Sequence, residues 1–145
     1  MGLTEVLCMA KRRISEQAGA EAVQDWSDAQ ARGGAPGRST TATAVRFLLE
    51  ELAERAPGNS VEVRVPPFGV TQCVEGPAHT RGTPPNVVEL SPEAWLLLAT
   101  GMLSWAEAAE AGRISASGTR ADLSGELPLI WTGPRVAGAG SAESG

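Results

Sequence analysis

The sequence predicts a single domain of the α/β class, of the α+β type, in which helices cover one face of a sheet. Three patterns within its 145 residues indicate this architecture. Apolar side chains recur at helical spacing through residues 42–56, and strict alternation marks residues 61–65 as a half-buried strand. Ser91-Pro92-Glu93 then has the composition of a helix start, with an N-cap, a proline at the first helical position and an acid in the first turn.

The N-terminal part of the chain predicts two helices joined by a linker. Ser15 is expected to cap a helix over residues 15–31, in which apolar residues share one face. Glycine and proline then end that helix and connect it to the main body. Thr40 or Thr41 caps the second helix, 42–56, whose apolar stripe is expected to pack on a sheet.

Four strands are expected in the rest of the chain. They cover residues 61–65, 68–75, 87–90 and 113–117. The three valines of the first strand lie on its covered face. Pro66-Pro67 excludes a tight primed hairpin after this strand, because the central residues of such a turn need positive φ. The connection is therefore wider, or the first two strands are not simple neighbours.

The other segments are helices, a loop and two loose ends. Helices are expected from Ser91 to Gly101, from the capping box at Ser104 to Gly112, and over residues 119–127. The domain organisation comprises a flexible N-terminus over 1–14 with Met9 as an alternative translation start, an N-terminal helix and linker over 15–38, a main domain over 40–131, and a disordered tail over 132–145.

Composition argues against several classes of protein. A net charge of −5 without a basic stripe argues against nucleic-acid binding. No segment reaches the roughly 18–20 consecutive apolar residues of a membrane span, so stable membrane insertion is not expected. The first residues do not form a secretory signal, because their positive charges follow the apolar run. The sequence therefore predicts a soluble cytoplasmic protein, in which Cys8 and Cys73 do not make a disulfide framework.

The sequence does not supply a complete set of residues for enzyme chemistry. A nucleophilic triad needs a base, and the single histidine, His79, has no Gly-x-Ser-x-Gly elbow to accompany it. One histidine and two distant cysteines do not make a zinc site, and no glycine loop matches a dinucleotide or Walker pattern. We therefore expect no enzymatic activity, no catalytic residues, no metal and no cofactor.

The stretch around His79 and Arg81 is the part of the sequence that most suggests ligand chemistry. Together with Arg64, these side chains could hold an anionic head group such as a carboxylate or phosphate. The alternative is that Arg64 pairs with Glu62 or Glu89 across the sheet, while His79 is an ordinary loop residue. We favour that alternative, because exposed ion pairs are common and weak.

Large apolar side chains in neighbouring elements either fill a core or line a groove. They are Phe68, Val88, Trp95, Leu97, Leu98, Met102, Leu103 and Trp105. Spacing alone favours the core.

A series of landmarks from Asn86 onward carries a family resemblance. A strand precedes Ser91-Pro92-Glu93-Ala94-Trp95-Leu96-Leu97-Leu98-Ala99-Thr100-Gly101, which is followed by a short helix ending at Gly112, by Arg113-Ile114-Ser115-Ala116-Ser117-Gly118, and by Ala121, Leu123 and Leu127. This order resembles the sterol carrier protein type 2 family, and residues 61–86 resemble its bacterial branch of sterol carrier family proteins. The resemblance covers roughly residues 40–131.

The resemblance implies a mostly antiparallel five-stranded sheet covered on one face by helices, with an apolar tunnel between the two layers. It also implies a hydrophobic ligand such as a fatty acid, acyl-CoA or a sterol-like molecule. The implied tunnel lining consists of Phe68, Val70, Val88, Trp95, Leu98, Met102 and Trp105. The chain departs from the family pattern in its four clear strands and in the proline-rich loop over 76–86.

Two functions stay open at this point. The first is binding, and transfer, of a lipid or other hydrophobic small molecule. The second is an accessory or protein-interaction domain with a filled core, related to the C-terminal domain of mycothiol-dependent isomerases, and it leaves a homodimer or a protein partner open. An apolar cavity of about 300 Å³ or more would support the first, and a filled core with an exposed apolar patch the second.

Overall fold

The computed structural model describes residues 14–76 and 86–129 as a mixed α+β domain. Its elements are α1 (Glu16–Ala31), α2 (Arg38–Arg55), β1 (Val61–Val65), β2 (Gly69–Cys73), β3 (Val87–Leu90), α3 (Pro92–Ala99), α4 (Trp105–Glu110) and β4 (Ile114–Ser117). The loop predicted over 76–86 falls almost entirely outside the described residues, as do the segments predicted to be loose at the two ends.

The sheet has four strands in the order β2-β1-β3-β4. The outer pairs, β1 with β2 and β3 with β4, are antiparallel, whereas the central pair β1 and β3 is parallel. Four strands within the described ranges correct the five that the family resemblance implies. The sequence between β2 and β3 contains three prolines, and proline has no N–H to donate to a ladder.

The connection between β1 and β2 is one residue wider than a two-residue hairpin loop. Residues 66–68 join the strands, and Val65 stands opposite Gly69 in the register. The N–H of Phe68 donates to the carbonyl of Val65 at 2.9 Å. The wider connection predicted from the proline pair is confirmed, and it leaves β1 and β2 as direct neighbours.

One face of the sheet is buried beneath helices. Val61, Val63 and Val65 are buried, as their alternation predicts, while Glu62 and Arg64 lie on the opposite face. The inner face continues through buried Val88, Cys73 and Leu90 into one apolar cluster that includes residues of α1, α2 and α3. Close packing of this kind is the usual state of a protein interior.

The first helix packs directly on the second. A Cβ at Gly19 would overlap the ring of Phe47, so a glycine there allows the two helices to approach closely. Ala22, Val23 and Trp26 of α1 are buried in the same core as α2. The N-terminal helix therefore contributes to the hydrophobic core of the domain.

The second helix begins earlier than the sequence pattern predicts. Gly37, with extended backbone, is its N-cap, and α2 starts at Arg38. Thr40 and Thr41 therefore lie inside the helix, and the prediction that one of them caps it is wrong. Gly37 has no side chain to form a capping hydrogen bond, which is why a search for a hydroxyl cap passes over it.

Three serine caps are confirmed. Ser15 and Ser91 accept hydrogen bonds from the N–H groups of Ala18 and Ala94, at 3.0 and 3.1 Å. Ser104 and Glu107 bond each other's backbone N–H groups reciprocally, each at 3.0 Å, which is the predicted capping box.

The prediction of a last helix over residues 119–127 is wrong. The structure has no helix there, and the backbone makes a short turn at residues 124–126. The carboxylate of Asp122 accepts the N–H of Ser124 at 2.8 Å, a local bond that competes with helix formation. The apolar spacing reflects burial of Ala121 and Leu123 in an irregular segment.

Candidate functional site

A cleft lies between the first turns of α2 and the connection from β1 to β2. We call it the α2 cleft, and its volume is about 430 Å³. Residues spaced three and four apart share one side of a helix, which brings the helical lining residues together. The lining consists of Arg38, Ser39, Ala42, Thr43 and Arg46 from α2, and of Pro67 and Phe68 from the connection.

Phe68 is held in this cleft by two arginines. The guanidinium carbon of Arg38 lies over the ring of Phe68, 5.1 Å from its centroid, in a cation–π arrangement. Arg46 Nε donates a hydrogen bond to the carbonyl oxygen of Phe68 at 2.7 Å. The ring is half-buried and presents an apolar wall beside the charge of Arg38, while Arg46 contacts the backbone of the same residue.

The lining of the α2 cleft is positively charged, although the chain as a whole carries a net charge of −5. Within residues 14–76 and 86–129, the ion pairs join Arg55 to Glu51, Arg64 to Glu62 and Arg113 to Glu93. Neither arginine of the α2 cleft has a carboxylate partner in this part of the chain. The cleft therefore combines an apolar surface with two cations that no carboxylate of the described ranges pairs with.

A second cleft, of about 360 Å³, lies where β1 and β3 end. Its lining is Pro66, Glu89, Leu90, Ser91, Pro92, Gly112, Arg113 and Ser115. The guanidinium of Arg113 lies 3.5 Å from the carboxylate of Glu93, and Glu89 contributes a negative charge. This cleft has a similar volume to the first, but its arginine is already paired.

Three residues expected to line a tunnel are fully buried in the core. Val88, Trp95 and Leu98 are at most 1% exposed and belong to one continuous apolar cluster. The indole N–H of Trp95 donates to the carbonyl of Val45 at 3.3 Å, which satisfies its one polar group. These three side chains therefore belong to the buried apolar cluster that the described strands and helices share.

The other four expected lining residues are spread over the surface. Val70 is 59% exposed and lies on the face of the sheet that the helices leave open, and Met102 is 49% exposed. Trp105 is partly buried. Phe68 borders the α2 cleft, and it is the one residue of the expected set of seven that lines either described cleft.

The expected anion contacts are not assembled in the described structure. Arg64 Nε donates to Glu62 Oε2 at 2.6 Å, which is the ion pair given above as the alternative. His79 and Arg81 lie outside the described residues.

Sequence reasoning missed Arg38 and Arg46. They are two helical turns apart on one side of α2, a spacing that the sequence contains. This spacing was not recognised because the predicted helix began at residue 42, which placed Arg38 in the linker.

The described residues contain no cluster placed to hold a metal ion, and their one cysteine is buried. Burial raises the pKa of the Cys73 thiol to about 12, with a smaller contribution from the negative charge of Glu126, so the thiol stays protonated and unreactive. No group of three or more histidine, cysteine, aspartate or glutamate side chains within 14–76 and 86–129 is placed to hold a metal ion. No helix in that part of the chain has both the length and the apolar character needed to cross a membrane.

The described residues define a small α+β domain whose α2 cleft is cationic and bordered by an aromatic ring. The profile of the family described as "bacterial SCP ortholog" matches residues 37–129, which is more than half of the chain. The chain belongs to this family of bacterial sterol-carrier-like proteins, and the resemblance inferred from its sequence is confirmed. No curated protein matches the chain.

Proposed function

We propose that this protein binds a hydrophobic small molecule, such as a fatty acid, an acyl-CoA or a sterol-like compound, in the α2 cleft. The observation that carries the proposal is the half-buried ring of Phe68 in a cleft of about 430 Å³. Small-molecule sites commonly have volumes of about 300–1,000 Å³ and a mostly apolar lining. Membership of a sterol-carrier-like family supports a ligand of this class.

The proposed ligand lies against Phe68, Pro67 and Ala42. Burying apolar ligand surface on this wall stabilises the complex by about 25 cal/mol per Å² removed from water. Val88, Trp95 and Leu98 are proposed to be core residues that do not touch the ligand, since each is at most 1% exposed.

The experiment is a displacement titration of a fluorescent fatty acid on the full chain, combined with native mass spectrometry. Phe68→Ala is expected to weaken binding about tenfold, or about 1.4 kcal/mol, because the ligand loses its aromatic wall. Val70→Ala is the matched control, since Val70 is apolar but lies on the open face of the sheet. Absence of binding by dodecanoate, dodecanoyl-CoA and a sterol would overturn the proposal.

A second candidate function is an accessory domain that binds another protein chain or a second copy of itself. The filled core, together with the exposed Val70 and Met102, favours it. Sedimentation velocity separates the two functions. A dimer that Val70→Ser dissociates, in a protein that binds none of the three hydrophobic probes, would support the accessory function.

A further inference from the structure

We propose that the α2 cleft selects amphiphiles that carry an anionic head group, a carboxylate or a phosphate, over neutral amphiphiles such as sterols. This inference rests on the proposed function, because the same cleft holds the apolar part of the ligand. It assigns the head-group contacts to Arg38 and Arg46, which lie on the opposite side of the sheet from Arg64.

The two guanidinium groups converge on a single residue. Their Cα atoms are separated by two helical turns, which is about 12 Å along the axis. Arg38 lies over the face of the Phe68 ring, and Arg46 donates a hydrogen bond to the backbone carbonyl oxygen of Phe68. A head group beside Phe68 is therefore within the reach of both side chains.

Both side chains keep unused hydrogen-bond donors. Arg46 uses Nε on the carbonyl of Phe68, which orients the guanidinium and leaves the N–H groups of its two Nη atoms for a ligand. The guanidinium carbon of Arg38 lies over the ring at 5.1 Å, and within the described ranges its N–H groups make no hydrogen bond or ion pair. Planar forks of this kind match the oxygens of a carboxylate or a phosphate.

The charge balance of the cleft also favours an anion. No carboxylate within the described ranges pairs with Arg38 or Arg46, and the cleft lining contains no acidic side chain. The hydroxyl groups of Ser39 and Thr43 add neutral donors to the same surface. The second cleft lacks this character, because Arg113 is paired with Glu93 and Glu89 is nearby.

A neutral sterol does not use these features. Its single hydroxyl would leave two guanidiniums uncompensated, while its apolar body gains only the Phe68 wall. An anionic amphiphile gains the hydrogen bonds to the two guanidiniums as well as the apolar contact with Phe68. The structure therefore favours ligands with a charged end and an apolar end.

The test compares ligands that share a twelve-carbon chain. Isothermal titration of the full chain at low salt would measure dodecanoate, dodecyl phosphate and 1-dodecanol, with inorganic phosphate as an anion that has no apolar part. Dodecanoate and dodecyl phosphate are expected to bind at least about tenfold more tightly than 1-dodecanol, and the advantage should shrink at about 1 M salt, where the screening length is about 3 Å.

Variants separate a local contact from a general charge effect. Arg38→Gln and Arg46→Gln are each expected to weaken binding of dodecanoate about tenfold while leaving that of 1-dodecanol within about twofold. Arg55→Gln is the matched control, since it removes the same charge from the same helix at a residue that pairs with Glu51. Circular dichroism would verify that each variant is folded.

The outcomes distinguish this inference from the proposed function. Equal affinity for dodecanoate and 1-dodecanol, or an equal loss in Arg55→Gln, overturns the anion selectivity and leaves hydrophobic binding standing. Inorganic phosphate binding as tightly as dodecyl phosphate overturns the amphiphile class. Binding of none of these compounds overturns the anion selectivity, and failure of dodecanoyl-CoA and a sterol to bind as well overturns the proposed function.

Discussion

The two faces of the sheet are built from the same strands but differ in how far their side chains are buried. On the inner face of β1, Val61, Val63 and Val65 are at most 1% exposed, whereas Glu62 and Arg64 on the outer face form an ion pair in contact with water. The inner face is close-packed and its strands leave little room for a ligand. The two described clefts lie instead at the margins of the layers, one where the start of α2 meets the connection between β1 and β2 and the other where β1 and β3 end.

The largest expected difference between the faces is in the cost of truncating a side chain. Trp95→Ala is expected to lower the free energy of unfolding by about 3–5 kcal/mol, because it opens a cavity in a filled interior. Val70→Ala on the outer face should change it by less than about 0.5 kcal/mol. Urea unfolding of both variants measures the difference, and a cost below about 1 kcal/mol for Trp95→Ala would mean that the layers enclose free space.

The reaction rates of cysteines on opposite faces of β2 give a second comparison of the two faces. The expected difference is smaller in free energy than that of the truncations. In a Cys8→Ser background, Cys73 on the inner face is expected to react with a disulfide reagent at pH 8 at least about a hundredfold more slowly than a cysteine at position 72, which faces outward. A hundredfold corresponds to about 2.7 kcal/mol. The physical reason is that burial raises the pKa of Cys73 to about 12, so very little thiolate exists at that pH.

The reference for that comparison is Gln72→Cys with both native cysteines changed to serine. Its register partner is Glu62 and Gln72 is exposed, so the new thiol lies on the outer face of the sheet in contact with solvent. Similar rates at the two positions would show that the inner face opens to solvent far more readily than a close-packed layer should.

The smallest expected change in unfolding free energy comes from a substitution in the ion pair of the outer face. Arg64→Ala should cost less than about 1 kcal/mol of unfolding free energy, because the Arg64 side chain is 43% exposed and water and salt screen its pair with Glu62. The cost should fall further at about 1 M salt. Urea unfolding at low and high salt measures it, and a salt-independent cost above about 2 kcal/mol would contradict this picture of the outer face.

Local patterns were sufficient where one short segment contains all of the relevant information. Alternation at residues 61–65 predicts the buried valines, and the serine caps at 15, 91 and 104 follow from side chains that bond N–H groups within the same turn. Local patterns failed for residues 119–127, since buried apolar residues in an irregular segment reproduce helical spacing. They also failed for the start of α2, because a glycine N-cap has no side-chain signature.

The candidate site could not be predicted from local sequence patterns, for a different reason. Phe68 was among the expected ligand contacts, but its partners Arg38 and Arg46 are 30 and 22 residues away in sequence. Only the packing of α2 on β2 brings them together. The same packing turns Val88, Trp95 and Leu98 into core, although their size and sequence position fit a tunnel wall equally well.

The sequence by itself determined the class of the fold, the strands and most helices, the covered face of β1 and membership of the sterol-carrier-like family, because each depends on periodicity, caps or the order of landmarks. The tertiary structure decided that the sheet has four strands in the described ranges, that Val88, Trp95 and Leu98 are buried in the core, and that two distant arginines meet at one phenylalanine. Cavities and charge clusters arise from residues far apart in the chain. Their existence therefore depends on how the layers pack.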